Sequence, residues 1–529
     1  MNIREAIGQL KSAVRSYTAR REDGMPLIPR AAQRPVYLVG PPGVGKTAIA
    51  GQVAAELGVG LVSYTMTHHT RQSALGLPRI VEREMGGEMR ACTEYTMSEI
   101  IAGVYRQMEE TGVRQGILFL DEINCVSETL TPAMLELLQH KRFGQYAVPE
   151  GWVIVCAGNP EAYNRAAHAF DPVTLDRLRV IRVEPELDAW MDYAAARGVH
   201  PAVRGYLRLR PEDFFASEGE HIVSPRSWTD LSDMMRALEA MGEAPGGALF
   251  AQYLQCPAIA EGFGLYFNLC RGVSARFGLE HVLEGPRPEA ERHFASAPFD
   301  EGLCAATLLA DCLNGRAAEA ARAEEIAARL GSFVEGALRE AANACAEGRG
   351  LLGRAACPMG QVEAKATTGE NGQSGERAEP PEDAYLAACR TILERMEHAL
   401  QVRAGVGALE PAAEAGERAL LRAARAAMAD CAGAADRAAA LRAFADARMA
   451  RARALRPGLR AAFENGLAFA MNAFRNVHVR VIFLAELERA PVSLRLMERE
   501  LPEQLAALRS ATDPDARAAE IRRQLGKDA

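Results

Sequence analysis

Hydrophobic positions fall into short unbroken runs in the first part of the chain: VYLV at 36–39, LVSYT at 61–65, ILFL at 117–120, WVIVCA at 152–157 and VIRV at 180–183. Longer stretches with helical spacing separate them. Such alternation predicts an α/β fold, a parallel sheet with helices on both faces. From about residue 290 the strand signals stop, and alanine, arginine and leucine, all strong helix formers, predict a helical second half. There Leu386, Leu393 and Leu400 recur at heptad spacing, while Phe463, Leu467, Met471, Phe474 and Val481 mark another helical face. Pro457, Gly458 and Pro491 punctuate these helices. Residues 358–383, PMGQVEAKATTGENGQSGERAEPPED, hold almost no large apolar side chain, so burial cannot offset the entropy of ordering them. They read as a flexible linker.

Composition narrows the class. At 529 residues, with 49% apolar and 25% charged positions, the chain has room for two or three cores. It is too ordinary to be disordered, collagen-like or a disulfide scaffold. No run approaches the ~18 uninterrupted apolar residues of a membrane span. MNIREAIGQLKSAVRSY carries charge where a signal peptide has its apolar core, so a soluble, unexported, cytoplasmic protein is expected. Eleven cysteines without a CxxC pair fit neither a disulfide framework nor a structural zinc site, and read as buried thiols in a reducing compartment.

The net charge of −8 argues against non-specific attraction to nucleic acid or anionic membranes. Charge divides unevenly: residues 384–529 hold 23 Lys/Arg against 18 Asp/Glu (+5), leaving −13 for residues 1–383. Seven arginines between Arg437 and Arg460 face only Asp446. A basic helix can track phosphates, but this one has only Phe444 as an interleaved aromatic, and its alanines suggest close packing with arginines snorkelling outward.

The strongest chemical signal is Gly40-Pro41-Pro42-Gly43-Val44-Gly45-Lys46-Thr47, set between the strand VYLVG and the helix TAIAGQVAAEL. This is a complete G-x-x-x-x-G-K-[ST] loop. Its glycines let backbone N–H groups curl around phosphate oxygens, its lysine neutralises the β- and γ-phosphates, and Thr47 can ligate magnesium. Farther on, ILFL delivers Asp121 and Glu122 to a strand end, where one carboxylate can hold the metal shell and the other polarise water. We assign Asp121 to metal and Glu122 to water. WVIVCAGNP ends a further strand on Asn159, whose amide can reach the γ-phosphate or the same water. FDPVTLDRLRVIRV carries Arg177, and VSPRSWTDL carries Arg226 at a helix start; Trp228 beside it reads as core packing.

In that order and at these spacings, GPPGVGKT, LFLDEIN, AGNP, LDRLR and SPRSW resemble the Walker A, Walker B, sensor 1, arginine-finger and sensor 2 segments of an AAA+ ATPase. The pattern is similar to the MoxR and dynein-related branch over roughly residues 10–280. The resemblance implies ATP and Mg2+ as ligands, Asn159 as sensor 1, Arg177 as the finger reaching a neighbouring subunit's nucleotide, and Arg226 as sensor 2. Leu178 stands where the family often has Phe, and Arg165 and Arg179 compete with Arg177 for the finger. Two hairpin insertions mark the branch. IVEREMGGEMRACTEY, turning at Gly86-Gly87, reads as the first and HKRFGQYAVPEGW as the second. His68 and His69 point to opposite faces with no acid or cysteine at ligand spacing, so they read as a polar loop. In the resembled family that region faces a ring's pore and could grip a client.

The expected organisation is an AAA+ α/β nucleotide-binding domain at 1–185, a helical lid with sensor 2 at 186–285, a helical segment at 286–357, the linker at 358–383 and a helical partner-docking module at 384–529. The function the resemblance implies is an ATPase motor, a homo-oligomeric ring of six subunits, the family's usual number. It would remodel or activate a protein client, in some cases beside a von Willebrand factor A domain partner. Three other readings share the motifs. A nucleic-acid-linked motor is disfavoured by the −13 balance. A McrB-like GTPase differs only in base selectivity. A nucleotide-gated scaffold without turnover is disfavoured by the intact carboxylates and Asn159.

Overall fold

The computed structural model describes residues 1–68, 72, 74, 76–219, 221–355, 382–405, 411–434 and 436–513. Residues 358–381 of the expected linker and His69 lie outside them. Five strands, β1 (Val36–Val39), β2 (Gly60–Thr65), β5 (Gly116–Asp121), β8 (Trp152–Gly158) and β9 (Arg179–Arg182), form one sheet in the order β2-β5-β8-β1-β9. All four pairings are parallel, as expected when helical crossovers connect the strands. The five apolar runs became these five strands.

Alternation along the strands divides the core between two faces. Val36, Leu38, Ile117, Phe119, Val153 and Val155 meet Leu10 of the helix Ile3–Thr18 and Val53 of the helix Lys46–Leu57. Their neighbours Tyr37, Leu118, Leu120, Ile154 and Cys156 point the other way. These pack on Ile101 and Val104 of the helix Glu99–Thr111 and Leu137 of Thr131–His140. Both expected hairpins are present. β3 (Pro78–Met85) pairs antiparallel with β4 (Glu88–Tyr95), and β6 (Arg142–Phe143) with β7 (Tyr146–Ala147). Gly86 and Gly87 take φ of +67° and +87°, the left-handed pair that a two-residue hairpin turn requires.

Helices Leu187–Arg197, Pro201–Leu209, Pro225–Ala240 and Pro257–Phe277 gather around an aromatic centre, with Phe250 and Phe263 rings 4.9 Å apart and Tyr206 and Trp228 rings 5.7 Å apart. Trp228 is fully buried there. The helix Phe299–Ala355 runs out of this lid: Cys304 to Ala320 belong to the lid core, whereas Leu330 to Ala341 join a second cluster. That second cluster takes Leu393, Leu420 and Leu441 from the helices Glu382–Gly405, Pro411–Ala432 and Arg437–Arg453. The chain then turns back. Phe463, Phe469, Phe474 and Phe483, on Arg456–Ala473, the turn after it and Val477–Glu488, fill the lid core.

The sequence reading drew one module over 384–529, but packing places 385–445 and 459–508 in different apolar clusters. The physical difference is side-chain size: the alanine-rich helices pair closely with one another, while the phenylalanines need the lid's larger aromatic space. Val481 departs from the face expected for it, at 41% exposed, because the helix breaks after Ala473 and restarts at Val477, which resets the periodicity. Six of the seven arginines of 437–460 are exposed as expected, Arg437 being half-buried: Arg460 pairs with Glu464 at 3.0 Å, and Arg448 lies over the Phe444 ring. Among the described residues no helix is long and apolar enough to cross a membrane.

A buried ionic knot fastens the returning helices. Arg204, 2% exposed, pairs with Glu486, 1% exposed, and also with Asp311 at 2.7 Å. Arg208 reaches Glu486 at 2.6 Å. Asn314 donates to the Glu486 carbonyl at 3.0 Å and accepts from Ser493 Oγ at 2.6 Å. Removing one partner of such a pair strands a charge without water, a cost of about 3–5 kcal/mol. Glu486→Ala is therefore expected to destabilise the lid by that amount in urea unfolding followed by Trp190 and Trp228 fluorescence. Glu340→Ala, which breaks an exposed pair with Arg395, is expected to cost less than about 1 kcal/mol. Equal losses in the two variants would show that the knot holds nothing.

Candidate functional site

The loop after β1 is shaped by its glycines. Gly43 and Gly45 adopt φ of +77° and +90°, a region that costs a side-chain-bearing residue ~1–2 kcal/mol. Space forbids substitution as well: a Cβ at Gly43 would sit 2.4 Å from Ser224 Oγ, and one at Gly40 2.2 Å from the Val183 carbonyl oxygen. The loop leads into Lys46–Leu57, whose N-cap is Gly45 with no capping side chain. The first-turn N–H groups are thus left for an anion.

Lys46 is 8% exposed and touches no carboxylate. Its ammonium donates to the carbonyls of Gly40 and Pro41 and to Asn159 Oδ1, each at 2.8 Å. Burial pulls its pKa down to about 8; Asp121 and Glu122 oppose that fall, and Arg226 adds to it. Thr47 Oγ1 donates to Asp121 Oδ2 at 2.8 Å, which joins the loop to the end of β5. One residue on, Glu122 takes a left-handed φ of +53° and turns off the strand line. Its Oε2 accepts from Thr67 Oγ1 at 2.9 Å.

Two residues here escape sequence reading. Thr67 follows β2, and only the register that sets Thr65 opposite Asp121 reveals that it lies beside Glu122. Asn124, 5% exposed, donates to the Asn159 carbonyl at 2.8 Å, and its own Oδ1 is buried without a donor among the described residues. A Cβ at Gly158 would stand 2.3 Å from that oxygen, so the glycine before Asn159 is what lets Asn124 approach. A single threonine or asparagine is too common in a sequence to be singled out.

The fold brings Gly40–Thr47, Asp121, Glu122 and Asn159 together at the carboxyl ends of β1, β5 and β8. Arg226, exposed in the first turn of Pro225–Ala240, joins them: its Cβ lies 3.3 Å from where a Gly43 Cβ would be. The candidate fingers lie elsewhere. Arg179 pairs in register with Val36, the first residue of β1, while the phosphate loop follows Val39, the last. The strand rise of ~3.3 Å per residue separates the two by about 10–13 Å. Arg179 donates to Gln9 Oε1 at 2.7 Å. Arg177, the C-cap of the short helix Pro172–Asp176, is exposed, and its guanidinium has no ion-pair or hydrogen-bond partner among the described residues. Arg165 is also exposed.

Oxygen donors suited to a hard divalent cation are present in Thr47 Oγ1 and Asp121 Oδ2, and the glycine loop leaves room for phosphates beside them. The chemistry of the cluster is that of a phosphate cradle facing a carboxylate able to polarise water.

Residues 35–178 match the family model for the AAA domain of the dynein-related subfamily. Comparison with curated proteins gives no match. Among solved structures, NtrX from Brucella abortus in complex with ADP is similar at 15% identity and a TM-score of 0.27, over 45% of this chain and 49% of that one. The chain thus spans about half the length of that structure, and so loose a superposition carries no argument. The family match opens one residue before β1 and closes one residue before β9, so it takes in every member of the cluster except Arg226. Residues 35–178 thus carry an AAA domain of the dynein-related subfamily.

Proposed function

We propose that the chain hydrolyses ATP as one subunit of a head-to-tail ring, hexameric and MoxR-like, and uses that work to remodel a protein client. The observation that carries this reading is the split of the charged residues. Lys46, Thr47, Asp121, Glu122, Asn159 and Arg226 converge at one end of the sheet, while Arg177 stands unpartnered toward the other. An arginine so placed serves a neighbour's site, which makes the contact heterologous and ring-forming. A von Willebrand factor A domain protein is the partner the resemblance suggests.

On nucleotide binding, the loop N–H groups take the phosphate oxygens, and Lys46 exchanges the Gly40 and Pro41 carbonyls for them. Mg2+ held by Thr47 and Asp121 supplies neutralising charge to the phosphates. Glu122, once released by Thr67, accepts a proton from water, with Asn159 fixing the water's position. Arg226 and a neighbour's Arg177 stabilise the charge that develops as the γ-phosphoryl group departs. Phosphate release measured with ATP and with GTP, each with and without DNA, tests the reading. ATP turnover indifferent to DNA supports it, whereas GTP preference or DNA stimulation would replace it.

Lys46→Ala is expected to lose tight ATP binding, whereas Glu122→Gln should bind ATP and hydrolyse it at least ~100-fold more slowly. Equal loss of affinity for a fluorescent analogue in both would overturn the division between cradle and base.

Because phosphate binding demands a protonated Lys46 and its pKa is about 8 in the free chain, affinity should be level below pH 8. Above it, affinity should fall by up to about tenfold per pH unit. A flat profile from pH 7.5 to pH 9.5 would contradict this.

Arg177→Ala subunits should bind ATP with little turnover, and mixing them with Glu122→Gln subunits should restore part of the activity. An intact Glu122 then meets a neighbour's intact Arg177 at some interfaces. Absence of rescue in rings confirmed to assemble would move the role to Arg165 or Arg179.

A further inference from the structure

At the opposite end of the sheet from the nucleotide cluster, the chain closes around a cavity of about 410 Å3 lined by Tyr17, Arg20, Arg30, Met108, Arg114 and Trp152 among others. Its floor is the start of two strands: Trp152 opens β8 and pairs in register with Gly116, which opens β5. Glycine is required beneath the indole. A Cβ at Gly116 would lie 2.6 Å from Trp152 Cη2, and one at Gly60 3.0 Å. Strands β5 and β8 end at Asp121 and Gly158, so this cavity and the phosphate loop are separated by the length of the sheet.

Its polar groups are mostly donors. Arg114 is exposed and has neither ion-pair nor hydrogen-bond partner among the described residues. Arg20 donates to the Gly24 carbonyl at 2.8 Å and meets Glu150 at 3.3 Å. Arg30 donates to the carbonyls of Lys141 and Val148. Behind it Lys141, 6% exposed, is held by the Arg30 carbonyl at 2.8 Å and Gln33 Oε1 at 3.3 Å, with no carboxylate. Burial and then the Arg30 charge push Lys141 down to about 8. Three guanidinium groups therefore line the cavity against one carboxylate, Glu150, which is itself 63% exposed. The remaining wall is flat and apolar, from the Tyr17 ring, Met108 and Pro149.

We propose that this cavity is a binding site for a small anion carrying a flat apolar body, such as an aromatic carboxylate. The anionic head accepts from Arg114, and the ring lies against Tyr17, Met108 and Pro149. The volume is that of a small-molecule site, which is typically ~300–1,000 Å3, and the donor excess selects acceptors over neutral or cationic ligands.

The full chain titrated calorimetrically with 1-naphthoate should show one saturable site, and 1-naphthalenemethanol, which keeps the ring and lacks the charge, should bind at least about tenfold more weakly. Arg114→Ala, at an exposed position without partners, should weaken 1-naphthoate about tenfold. Lys46→Ala should leave it unchanged, which separates this site from the phosphate loop. No saturation at millimolar naphthoate, equal affinity for the alcohol, or binding indifferent to Arg114→Ala would each overturn the assignment.

Discussion

Arg204 and Glu486 stand 282 residues apart in sequence and share a contact from which water is excluded. Neither charge can be buried alone, so the lid forms only when the chain's later helices come back to it. The same region is tied outward: Arg489 pairs with Asp192 at 2.6 Å, and Asp192 also meets Arg4 of the first helix. One run of ion pairs therefore connects the helix lying on the phosphate loop, the lid and the returning C-terminal helices. The second apolar cluster, built from described residues between Ile326 and Ala445, lies in sequence between the two ends of that closure.

The nucleotide cluster is satisfied internally in a way that nucleotide must undo. Each carboxylate of the Asp121-Glu122 pair accepts from a threonine hydroxyl, Thr47 for one and Thr67 for the other, and Lys46 is anchored by carbonyl oxygens. Each of these bonds joins a charged group to a neutral partner and contributes ~1.5–3 kcal/mol. A phosphate or a metal offers the same groups an opposite charge instead, so the free arrangement is stable yet readily exchanged. The depressed pKa of Lys46 reflects the same condition, an ammonium buried before its anion arrives.

The sheet and the phosphate loop were legible because both are written in local code. Burial on both faces of the sheet produced the unbroken strand runs, and a fixed spacing of Gly, Lys and Thr can serve few purposes other than a phosphate cradle. The Gly86-Gly87 hairpin was legible for the same reason. What stayed hidden depends on pairing at a distance. The spacing of Phe463, Leu467 and Phe474 announces a buried face but not which core receives it, and it turned out to be the lid. Thr67 and Asn124 acquire their places from strand register and from the absence of a Cβ at Gly158. Arg177 and Arg179 could not be set apart from the nucleotide cluster until the β1–β9 register put them toward the far end of the sheet.

The helix Phe299–Ala355 begins inside the lid core and runs for 57 residues, a rod of roughly 85 Å at the usual rise. Its first turns are clamped among the lid aromatics, and its later turns carry the alanine-rich helices. That makes it a lever with its fulcrum at the lid. A lid tilt of only ~10° would sweep a point 40 Å along the rod by about 7 Å, the distance of more than one helical turn. Small closures around a nucleotide would thus be delivered, magnified, to whatever the distal helices touch.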